Sequence, residues 1–434
     1  MISSKSNISS VTEEYLCNSC GACFASCNHG AISYLETKGG YVFPNIAEEI
    51  CTQCGLCFEV CPGVHFNKTL SAKIPHDPFV GTILACEVGR ATDEVIFSNS
   101  QSGGVATALL THLFETGRIE AAIVAVMQKG TPPRGDVLLV TKPADLIQTQ
   151  KSKYIPIPLL KAMPEIMHLQ GGVALVGLPC HIHGLFNLMD IIPAYRKKQF
   201  YKIGLICDRV MTTVAMDFMG RKATNKPMYN FVFRDKQQRS YPGNPVVYTE
   251  AGEGIPLDAS LRMSIKDFFT PVRCRLCFDK LNIFADVVLG DPHGVKEVDR
   301  IHGETLVLVR TDKGRRFVDT AKACGSVCLR IISSAAGVQG QGVYKKRKEW
   351  AGYMRAWKDL GRTEPLFPFT VESPTNTKNY KKMLLHGLSL DTVQNKTRAV
   401  NNWLFKRKLR KATFLPFTIV GSLFRGTNRT GDKL

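Results

Sequence analysis

Two cysteine runs near the amino terminus constrain this chain more than any other feature. The first run has the spacing C-x-x-C-x-x-C-x-x-x-C, and its members are Cys17, Cys20, Cys23 and Cys27. The second run repeats that spacing 34 residues later, and its members are Cys51, Cys54, Cys57 and Cys61. Two runs in one register form an internal repeat, which indicates one duplicated structural unit rather than scattered thiols.

The spacing has a mechanical explanation if each run wraps an iron–sulfur cluster. Three thiolates separated by two residues each can fold round one face of a [4Fe–4S] cube, whereas the fourth lies too far along to close the same cube comfortably. In bacterial two-cluster ferredoxins, which these two runs resemble, the fourth cysteine of each run binds the other cluster. One predicted ligand set is therefore Cys17, Cys20, Cys23 and Cys61. The other predicted ligand set is Cys51, Cys54, Cys57 and Cys27.

These spacings resemble those of bacterial two-cluster ferredoxins over residues 15–63. Gly21 and Gly55 occupy equivalent positions, where a residue without a side chain lets the backbone pass close to the sulfurs. Asn28 stands where a proline usually follows the first run, which alters a turn but removes no ligand. Paired zinc knuckles are one alternative, although zinc does not require the third cysteine step. Clusters that only brace the fold are another.

Composition places the chain among ordinary globular proteins. It has 434 residues, of which 44% are hydrophobic and 21% charged, and this length indicates about two to three domains. Residues 1–12 are polar and lack the apolar centre of a signal peptide. No run of eighteen apolar residues occurs, so no membrane-spanning helix is expected. We therefore expect a cytoplasmic protein, in which clustered cysteines bind metal rather than form disulfides.

Three regions follow from cysteine content, apolar runs and charge. Residues 1–65 form a cysteine-rich head, residues 80–335 alternate strand-like runs with helical patterns, and residues 340–434 are basic and irregular. Predicted strands are Ile83–Arg90, Ala121–Met127, Val137–Thr141, Val173–Val176, Lys202–Ile206, Asn230–Phe233, Asp286–Leu289 and Leu306–Arg310. Predicted helices are Gly104–Glu115, Met211–Arg221 and Lys313–Cys324. The middle region is thus predicted to be α/β or α+β.

Four further cysteines lie in the middle region at positions that favour a shared site. Cys180 follows one predicted strand and Cys207 ends the next, and ligand sites in open α/β sheets lie beyond the carboxyl ends of strands. Cys274 and Cys277 form a C-x-x-C pair. Together the four could complete a third cluster. The alternatives are a small buried hydrophobe for Cys207 and a zinc or redox pair for the C-x-x-C.

The segment Ser100–Gly104 immediately precedes a predicted helix. Small residues before a helix start expose free backbone N–H groups, which suit a phosphate or pyrophosphate. A plain helix cap with glycines that ease the turn is an equal alternative. Ser152-Lys153-Tyr154 offers a cation and a stacking ring, although such triplets are common at protein surfaces.

Taken together, these motifs resemble the coenzyme F420 hydrogenase/dehydrogenase beta-subunit family over about residues 15–330. The order and spacing carry the resemblance, because only the ferredoxin motif is specific by itself. Its carriers after the head are Ser102-Gly103-Gly104, Ser152-Lys153-Tyr154, Leu178-Pro179-Cys180, Cys207, Cys274-x-x-Cys277-x-Asp279, Ala285-Asp286 and Gly290-Asp291. One departure is His293, which stands where relatives often carry an aromatic residue.

From the three regions we expect an α+β protein in which a small ferredoxin-like head is followed by a larger mixed α/β catalytic domain and a basic C-terminal extension. The resemblance implies FAD beside a third [4Fe–4S] cluster, and hydride exchange between the flavin and an organic partner. The third cluster's implied ligands are Cys180, Cys207, Cys274 and Cys277. The implied flavin phosphate contacts are Ser102, Gly103, Gly104 and Lys153. The family also includes members that do not use F420, such as a chlorophyll-derivative reductase and bacterial members linked to polysaccharide gene clusters.

Such chemistry needs no paired-carboxylate or Ser-His-Asp constellation, and none is evident in the sequence. A flavin takes two electrons as a hydride and releases them singly, whereas each cluster carries one. His181, His183 and His293 lie near the predicted site loops and are candidates for supplying a proton. We assign no catalytic residue from the sequence.

The net charge of +19 predicts attraction to an anionic partner. From Lys396 onward there are ten Lys or Arg residues and one acid, Asp432. The stretch 403–411 is followed by the apolar stretch 414–420, a pattern that suits an anionic membrane surface or a terminal helix packed on its own domain. No zinc knuckle, helix-turn-helix or RNA-binding signature accompanies the charge, which argues against nucleic acid.

Three functions remain open on the sequence alone. The first is a flavin-dependent reductase or dehydrogenase that exchanges electrons with a redox partner protein and hydride with an organic donor or acceptor. The second is a pure electron-transfer subunit without a substrate site. The third is a cluster-bearing binding protein at a membrane or nucleic acid. The sequence does not determine the oligomeric state.

Overall fold

The structure is a computed structural model that describes residues 7–237, 240–389, 398–402 and 405. Among the residues that the structure describes, helix accounts for 37% and strand for 18%, in a mixed arrangement. This confirms the predicted α+β class.

Thirteen strands occur in the described residues. In chain order they are β1 (Ile32–Glu36), β2 (Val42–Ile46), β3 (Ala85–Ala91), β4 (Ala121–Gln128), β5 (Arg134–Val140), β6 (Val173–Gly177), β7 (Phe200–Leu205), β8 (Asn230–Asp235), β9 (Asn244–Tyr248), β10 (Gly254–Pro256), β11 (Val287–Gly290), β12 (Thr305–Val309) and β13 (Val327–Ile331). All eight predicted strands are present. The sequence analysis missed β1, β2, β9, β10 and β13.

Fifteen α-helices connect these strands in the described part of the chain. They are α1 (Ser9–Glu13), α2 (Ala22–Ala25), α3 (Leu56–Glu59), α4 (Lys68–Ser71), α5 (Glu94–Asn99), α6 (Val105–Glu115), α7 (Pro179–Ile191), α8 (Pro193–Arg196), α9 (Thr213–Ala223), α10 (Ala259–Phe269), α11 (Val272–Arg275), α12 (Asp312–Ala323), α13 (Ser334–Gln339), α14 (Val343–Asp359) and α15 (Lys378–Ser389). Three short 3-10 helices lie at Pro143–Thr149, Leu159–Ala162 and Pro164–His168. The three predicted helices correspond to α6, α9 and α12.

An eight-stranded mixed sheet forms the centre of the body, in the order β13-β3-β12-β11-β7-β6-β4-β5. Strands β4, β6, β7 and β11 run parallel to one another, whereas β12 is antiparallel to β11. The carboxyl ends of the four parallel strands therefore meet at one edge of the sheet. A separate three-stranded sheet has the order β10-β9-β8.

The central sheet is buried on both faces. Successive residues of β4 enter opposite cores, because side chains alternate along a strand. Ala122 and Val124 pack in a core that includes residues of α6 and α12. Ile123 packs in the other core, which includes residues of α7, α9 and the head. Cys86 is a buried core residue, whereas Cys324 and Cys328 are exposed.

The head contains the antiparallel hairpin β1–β2 and the short helices α2 and α3. It is fixed to the body by direct backbone contacts. The N–H of Leu160 donates to the carbonyl of Cys20 at 2.9 Å, and the Tyr195 hydroxyl donates to the carbonyl of Ala25 at 3.0 Å. Gly21 has φ +99°, and a Cβ there would lie 2.5 Å from the backbone nitrogen of Lys161. Glycine is thus required by conformation and by this close approach.

The prediction that residues 340–434 are irregular is wrong for their first part. Helix α14 spans 17 residues and buries Trp350 and Trp357. Trp357 shares a core with head residues such as Leu16 and Cys17, so the helix ties the extension to the head. The predicted basic and apolar tail, residues 403–420, lies outside the described residues apart from Phe405. Among the described helices, none combines the length and apolar character needed to cross a bilayer.

Candidate functional site

The first set of head cysteines, here called the inner group, consists of Cys17, Cys20, Cys23 and Cys61. All four are buried, with 5–9% of their surface exposed. Burial, together with the charges of neighbouring thiolates of the group, raises the pKa of Cys20 to about 12 and the pKa of Cys17 and Cys23 well above their usual value. The structure therefore brings together three cysteines of the first run and the last of the second, which is the predicted crossed set.

Hydrogen-bond donors surround the inner group. The N–H of Ser19 donates to Cys17 Sγ at 3.2 Å, and the N–H of Gly63 donates to Cys61 Sγ at 3.4 Å. The Tyr34 hydroxyl lies 3.4 Å from Cys23 Sγ. Donors to sulfur stabilise negative charge on a cluster and so influence its reduction potential.

The second set, here called the outer group, consists of Cys27, Cys51, Cys54 and Cys57. Burial raises the pKa of Cys57, and the charges of Cys54 and Cys51 add to this effect, so these three thiolates are neighbours. Cys27 is half-buried at the end of the first run, and Cys54 is exposed. The outer group therefore lies nearer to solvent than the inner group.

The four cysteines of the middle region, here called the body group, also meet. Cys180 lies in the first turn of α7 after β6, and Cys207 follows β7. Cys274 lies in α11, and Cys277 follows that helix. Loss of solvent contact raises the pKa of Cys180, and the charges of Cys20, Cys207, Cys277 and Cys274 raise it further. This places all four body-group thiolates near one another, with inner-group Cys20 as an additional neighbour.

Two loops that position the body group are held by buried polar residues. The Asp279 carboxylate accepts from the N–H of Ile283 at 3.2 Å and lies 3.1 Å from His183 Nε2. Asn282 Nδ2 donates to the carbonyls of Gly177 and Leu205, the last residues of β6 and β7. The C-x-x-C-x-D segment is thereby joined to both strands that deliver Cys180 and Cys207.

His181 acts as a structural residue. Its Nδ1 accepts from the N–H of Leu178 at 3.0 Å, and its Nε2 donates to the carbonyl of Ile157 at 3.1 Å. Burial lowers the pKa of His181 to about 4, so the ring is neutral and both nitrogens are occupied. His293 is exposed, and its Nε2 lies 3.9 Å from Asp291.

Arginine and lysine residues that sequence reasoning missed lie beside the cysteine groups. Arg273 donates from Nε to the carbonyl of Gly63 at 2.9 Å and from Nη2 to the carbonyl of Pro62 at 3.1 Å. Its charge lowers the pKa of Cys61, although burial, the larger effect, keeps that pKa raised at about 11. Buried Lys346 of α14 has the same lowering effect on Cys207 and Cys274. The role of Arg273 could have been suspected from the sequence, because this positive residue directly precedes Cys274.

Some of the residues that were predicted to contact the flavin form hydrogen bonds within the fold. Ser102 Oγ donates to the carbonyl of Glu304, and the N–H of Gly103 donates to Thr305 Oγ1 at 3.1 Å. Gly104, with φ +74°, caps α6 without a side-chain hydrogen bond. The Lys153 ammonium donates to the carbonyls of Thr149 and Gln150, and burial beside Lys151 lowers its pKa to about 7.

No group of three or more His, Cys, Asp or Glu side chains in residues 7–237, 240–389 and the short described segments beyond is arranged to hold a single metal ion. The requirement of a [4Fe–4S] cluster is different, because its four thiolates bind four separate iron atoms. The inner and body groups each bring four thiols together, with N–H donors or cations beside them, and this arrangement fits such a cluster chemically.

This combination of a two-run cysteine head and an α/β body with cysteines at its sheet edge defines the chain as an iron–sulfur protein. Residues 16–63 match the family described as 4Fe-4S dicluster domain. Residues 86–164 and 171–334 match the amino- and carboxyl-terminal parts of the coenzyme F420 hydrogenase/dehydrogenase beta subunit. These two parts cover more than half of the chain, which belongs to the coenzyme F420 hydrogenase/dehydrogenase beta-subunit family.

Curated relatives include proteins of Methanosarcina and Methanocaldococcus species. A subunit of the F420H2 dehydrogenase of Methanosarcina mazei is 27% identical over 330 residues, covering 73% of this chain and 85% of the relative. The beta subunit of the coenzyme F420 hydrogenase of Methanosarcina barkeri is 24% identical over 261 residues, covering 57% and 82%. The coenzyme F420-dependent sulfite reductase of Methanocaldococcus jannaschii is 27% identical over 336 residues, covering 75% of this chain and 49% of that protein.

A solved structure shares the fold. A chain of the xenon-derivatised F420-reducing [NiFe] hydrogenase complex from Methanosarcina barkeri superimposes with a TM-score of 0.54 at 19% identity. The match covers 68% of this chain and 99% of that chain. At this identity the likeness establishes the architecture and not the ligands.

Proposed function

We propose that this chain is an iron–sulfur flavoprotein oxidoreductase that passes electrons between three [4Fe–4S] clusters and FAD, and exchanges hydride with an organic partner. The inner, outer and body groups would each hold one cluster. The single observation that carries the proposal is the proximity of the two groups: Cys20 Sγ lies 3.4 Å from the position that a Cβ on Gly184 would take, on the same helix as Cys180, and the charge of Cys20 raises the pKa of Cys180. A continuous route for single electrons needs such proximity.

The order of the route follows from exposure. Cys54 in the outer group is exposed, the inner group is buried, and the body group lies at the sheet edge where α/β proteins bind ligands. We infer that the outer group exchanges electrons with a redox partner protein and that the body group exchanges them with the flavin. Pro62, Cys180, Arg273 and Cys277 line a small cleft between the inner and body groups.

A bound flavin would supply the conversion between a hydride and two single electrons. The chain's own residues would bind and orient it at the sheet edge. Burial and the Arg273 and Lys346 charges would set how readily the neighbouring clusters accept an electron. The F420-type deazaflavin is the first hydride partner to assay, because several relatives are named as F420-dependent enzymes or their subunits.

The test uses the full chain, purified without oxygen, and the Cys180→Ala variant. Reduced F420 added to the wild-type chain should bleach the flavin and produce the electron paramagnetic resonance (EPR) signals of reduced head clusters. In the Cys180→Ala variant the flavin should still bleach, but head-cluster reduction should slow strongly. Cys86→Ala is the matched control, because Cys86 is a core cysteine outside the three groups.

Two results would contradict the proposal. Head clusters that accept electrons from dithionite while no flavin is present would favour the pure electron-transfer subunit. Equal rates of head-cluster reduction in the wild-type chain and the Cys180→Ala variant would show that the body group is not on the route.

A further inference from the structure

A second buried charge cluster lies apart from the cysteines. Arg234, at the end of β8, is 4% exposed. Its Nη1 donates to Asp291 Oδ2 at 2.6 Å and to the Tyr154 hydroxyl at 3.3 Å, and its Nε donates to the carbonyl of Pro242 at 2.8 Å. Its Nη2 is buried and makes no hydrogen bond to any residue that the structure describes. Both N–H groups of Nη2 therefore lack an acceptor at hydrogen-bond distance among the described residues, although the Tyr241 hydroxyl is near enough for Arg234 to influence its pKa.

Arg262 of α10 brings a second guanidinium to the same place. Its central carbon lies 4.6 Å from the centre of the Tyr154 ring. Its Nε is buried without a hydrogen bond, and it forms no ion pair with the described residues. Burial and the neighbouring Arg234 lower the pKa of Arg262, against the opposing effects of Tyr154 and Asp291. Two guanidinium groups thus lie near the Asp291 carboxylate, but only Arg234 pairs with it.

This leaves a surplus of positive charge, carried by the buried Arg234 and by the half-buried Arg262, whose Nε is out of contact with solvent. The nearby Lys151 does not add to it, since Lys151 pairs with Asp235 at 3.5 Å. A cation removed from water without a counter-charge is costly, and water could satisfy its donors but could not neutralise it. An anion with several acceptor oxygens would do both. Arginine is suited to this role because its planar donors match phosphate and carboxylate oxygens.

The cluster lies at the edge of the central sheet where the ligand is expected. Asp291 directly follows β11, and β11 pairs with β7, the strand that leads to Cys207. The Tyr241 ring lies 5.4 Å from the Arg234 guanidinium. A Cβ on Gly303 would lie 2.7 Å from that ring and 3.2 Å from the Cα of Ser102. Arg234 is therefore adjacent both to the body-group strands and to the turn at Ser102.

We propose that Arg234 and Arg262 bind the phosphate of a phosphorylated flavin or deazaflavin, with Tyr154 and Tyr241 beside it. This deepens the proposed function and rests on it, because the redox ligand it names is the one that function requires. Asp291 holds Arg234 in place and is a positioning residue. The phosphate chemistry is common to the two ligands, so binding experiments must separate them.

Arg262→Gln is the principal variant because it removes the surplus charge without breaking an ion pair of the described residues. Arg221→Gln is the matched control, since Arg221 is exposed on α9. Flavin-depleted full-length protein is titrated with FAD and riboflavin, and separately with F420 and its dephosphorylated form. We expect Arg262→Gln to raise the Kd of one phosphorylated ligand about 10-fold or more. The Kd of its unphosphorylated counterpart should change less than about 2-fold, since that ligand lacks the charged group.

Each arm has a decisive outcome. A selective loss with FAD assigns the site to the flavin phosphate, and a selective loss with F420 assigns it to the deazaflavin phosphate. Equal Kd values for wild type and Arg262→Gln in both arms, or equal losses with and without phosphate, would overturn the proposal. Arg234→Gln should show the same selectivity, and its melting temperature reports any unfolding caused by breaking the pair with Asp291.

Failure of the site and failure of the proposed function give different results. If the wild-type chain binds a flavin and Arg262→Gln binds it equally well, only the site is refuted. If the wild-type chain binds neither flavin nor deazaflavin, the proposed function is refuted. In that case inorganic pyrophosphate decides on the anion site alone: it should raise the melting temperature of the wild-type chain but not of Arg262→Gln, and equal shifts would reject the site.

Discussion

Arg273 provides the sharpest test of how the body influences the head. Its guanidinium is 4% exposed, donates to the carbonyls that follow Cys61, and keeps its Nη1 buried without a hydrogen bond among the described residues. A reduced cluster carries one more negative charge than an oxidised one. A fixed cation nearby therefore favours reduction, and replacing Arg273 with glutamine should lower the potential of the inner cluster.

The magnitude follows from Coulomb's law. At a separation on the order of 7 Å and an effective dielectric constant of about 20, one charge contributes about 2 kcal/mol, which for one electron is about 100 mV. Residual solvent screening would reduce this value rather than increase it. We therefore expect Arg273→Gln to lower one head potential by several tens of millivolts and to leave the outer cluster nearly unchanged.

The assay is a redox titration of the anaerobic full-length protein followed by EPR spectroscopy. Arg273→Lys is the matched control, because it keeps the positive charge but loses the paired donors to Pro62 and Gly63. Iron content must be equal in all three proteins. An unchanged inner potential in Arg273→Gln, or an equal shift in Arg273→Lys, would show that the charge is not the cause.

Three further predictions follow from burial and close contacts. Cys180→Ala and Cys277→Ala should each lose about four iron atoms per chain while the head clusters keep their EPR signals, and unchanged iron in both would reject a body cluster. Gly21→Ala should lower the free energy of unfolding by about 1–3 kcal/mol, measured by thermal denaturation. Gly30→Ala, also at positive φ but with nothing within 4 Å, is its control, and equal losses would show that the contact with Lys161 does not matter. Lys153 has a pKa lowered to about 7 by burial, so the unfolded chain binds more protons above that pH and stability should rise from about pH 7 to 10. The rise in the free energy of unfolding should be on the order of 2 kcal/mol, since the partial solvent contact of Lys153 reduces the effect of the full pKa shift. The Lys153→Met variant should lack this rise. Parallel pH profiles of the wild-type chain and the variant would refute the assignment.

The sequence predicted the strands of the central sheet well because those strands are continuous apolar runs. It missed β1 and β2, whose residues are half exposed and lie between the cysteine runs. It also missed α14, although Trp350, Met354 and Trp357 follow a helical spacing, because the surrounding lysines and later prolines favoured an irregular segment. The local sequence pattern therefore predicted secondary structure correctly in uniformly buried strands, and it was misleading in the lysine-rich segment that forms α14.

The proximity of Cys61 to the first three cysteines of the first run could be predicted because the two runs resemble those of bacterial two-cluster ferredoxins. The proximity of Cys20 to Cys180 could not be predicted, since it depends on how the head packs against the body through Gly21 and Leu160. The proximity of Arg234 to Arg262 could not be predicted from the sequence either. Those residues lie on different elements, and the predicted strand ended one residue before Arg234.

The most direct test of the account is the cofactor content of the oxygen-free, full-length protein. Three clusters and one flavin require about twelve iron atoms, about twelve acid-labile sulfides and about one flavin per chain. About eight iron atoms with a flavin would remove the body cluster alone. A colourless protein, or one with zinc in place of iron, would contradict the central claim that these cysteines carry electrons.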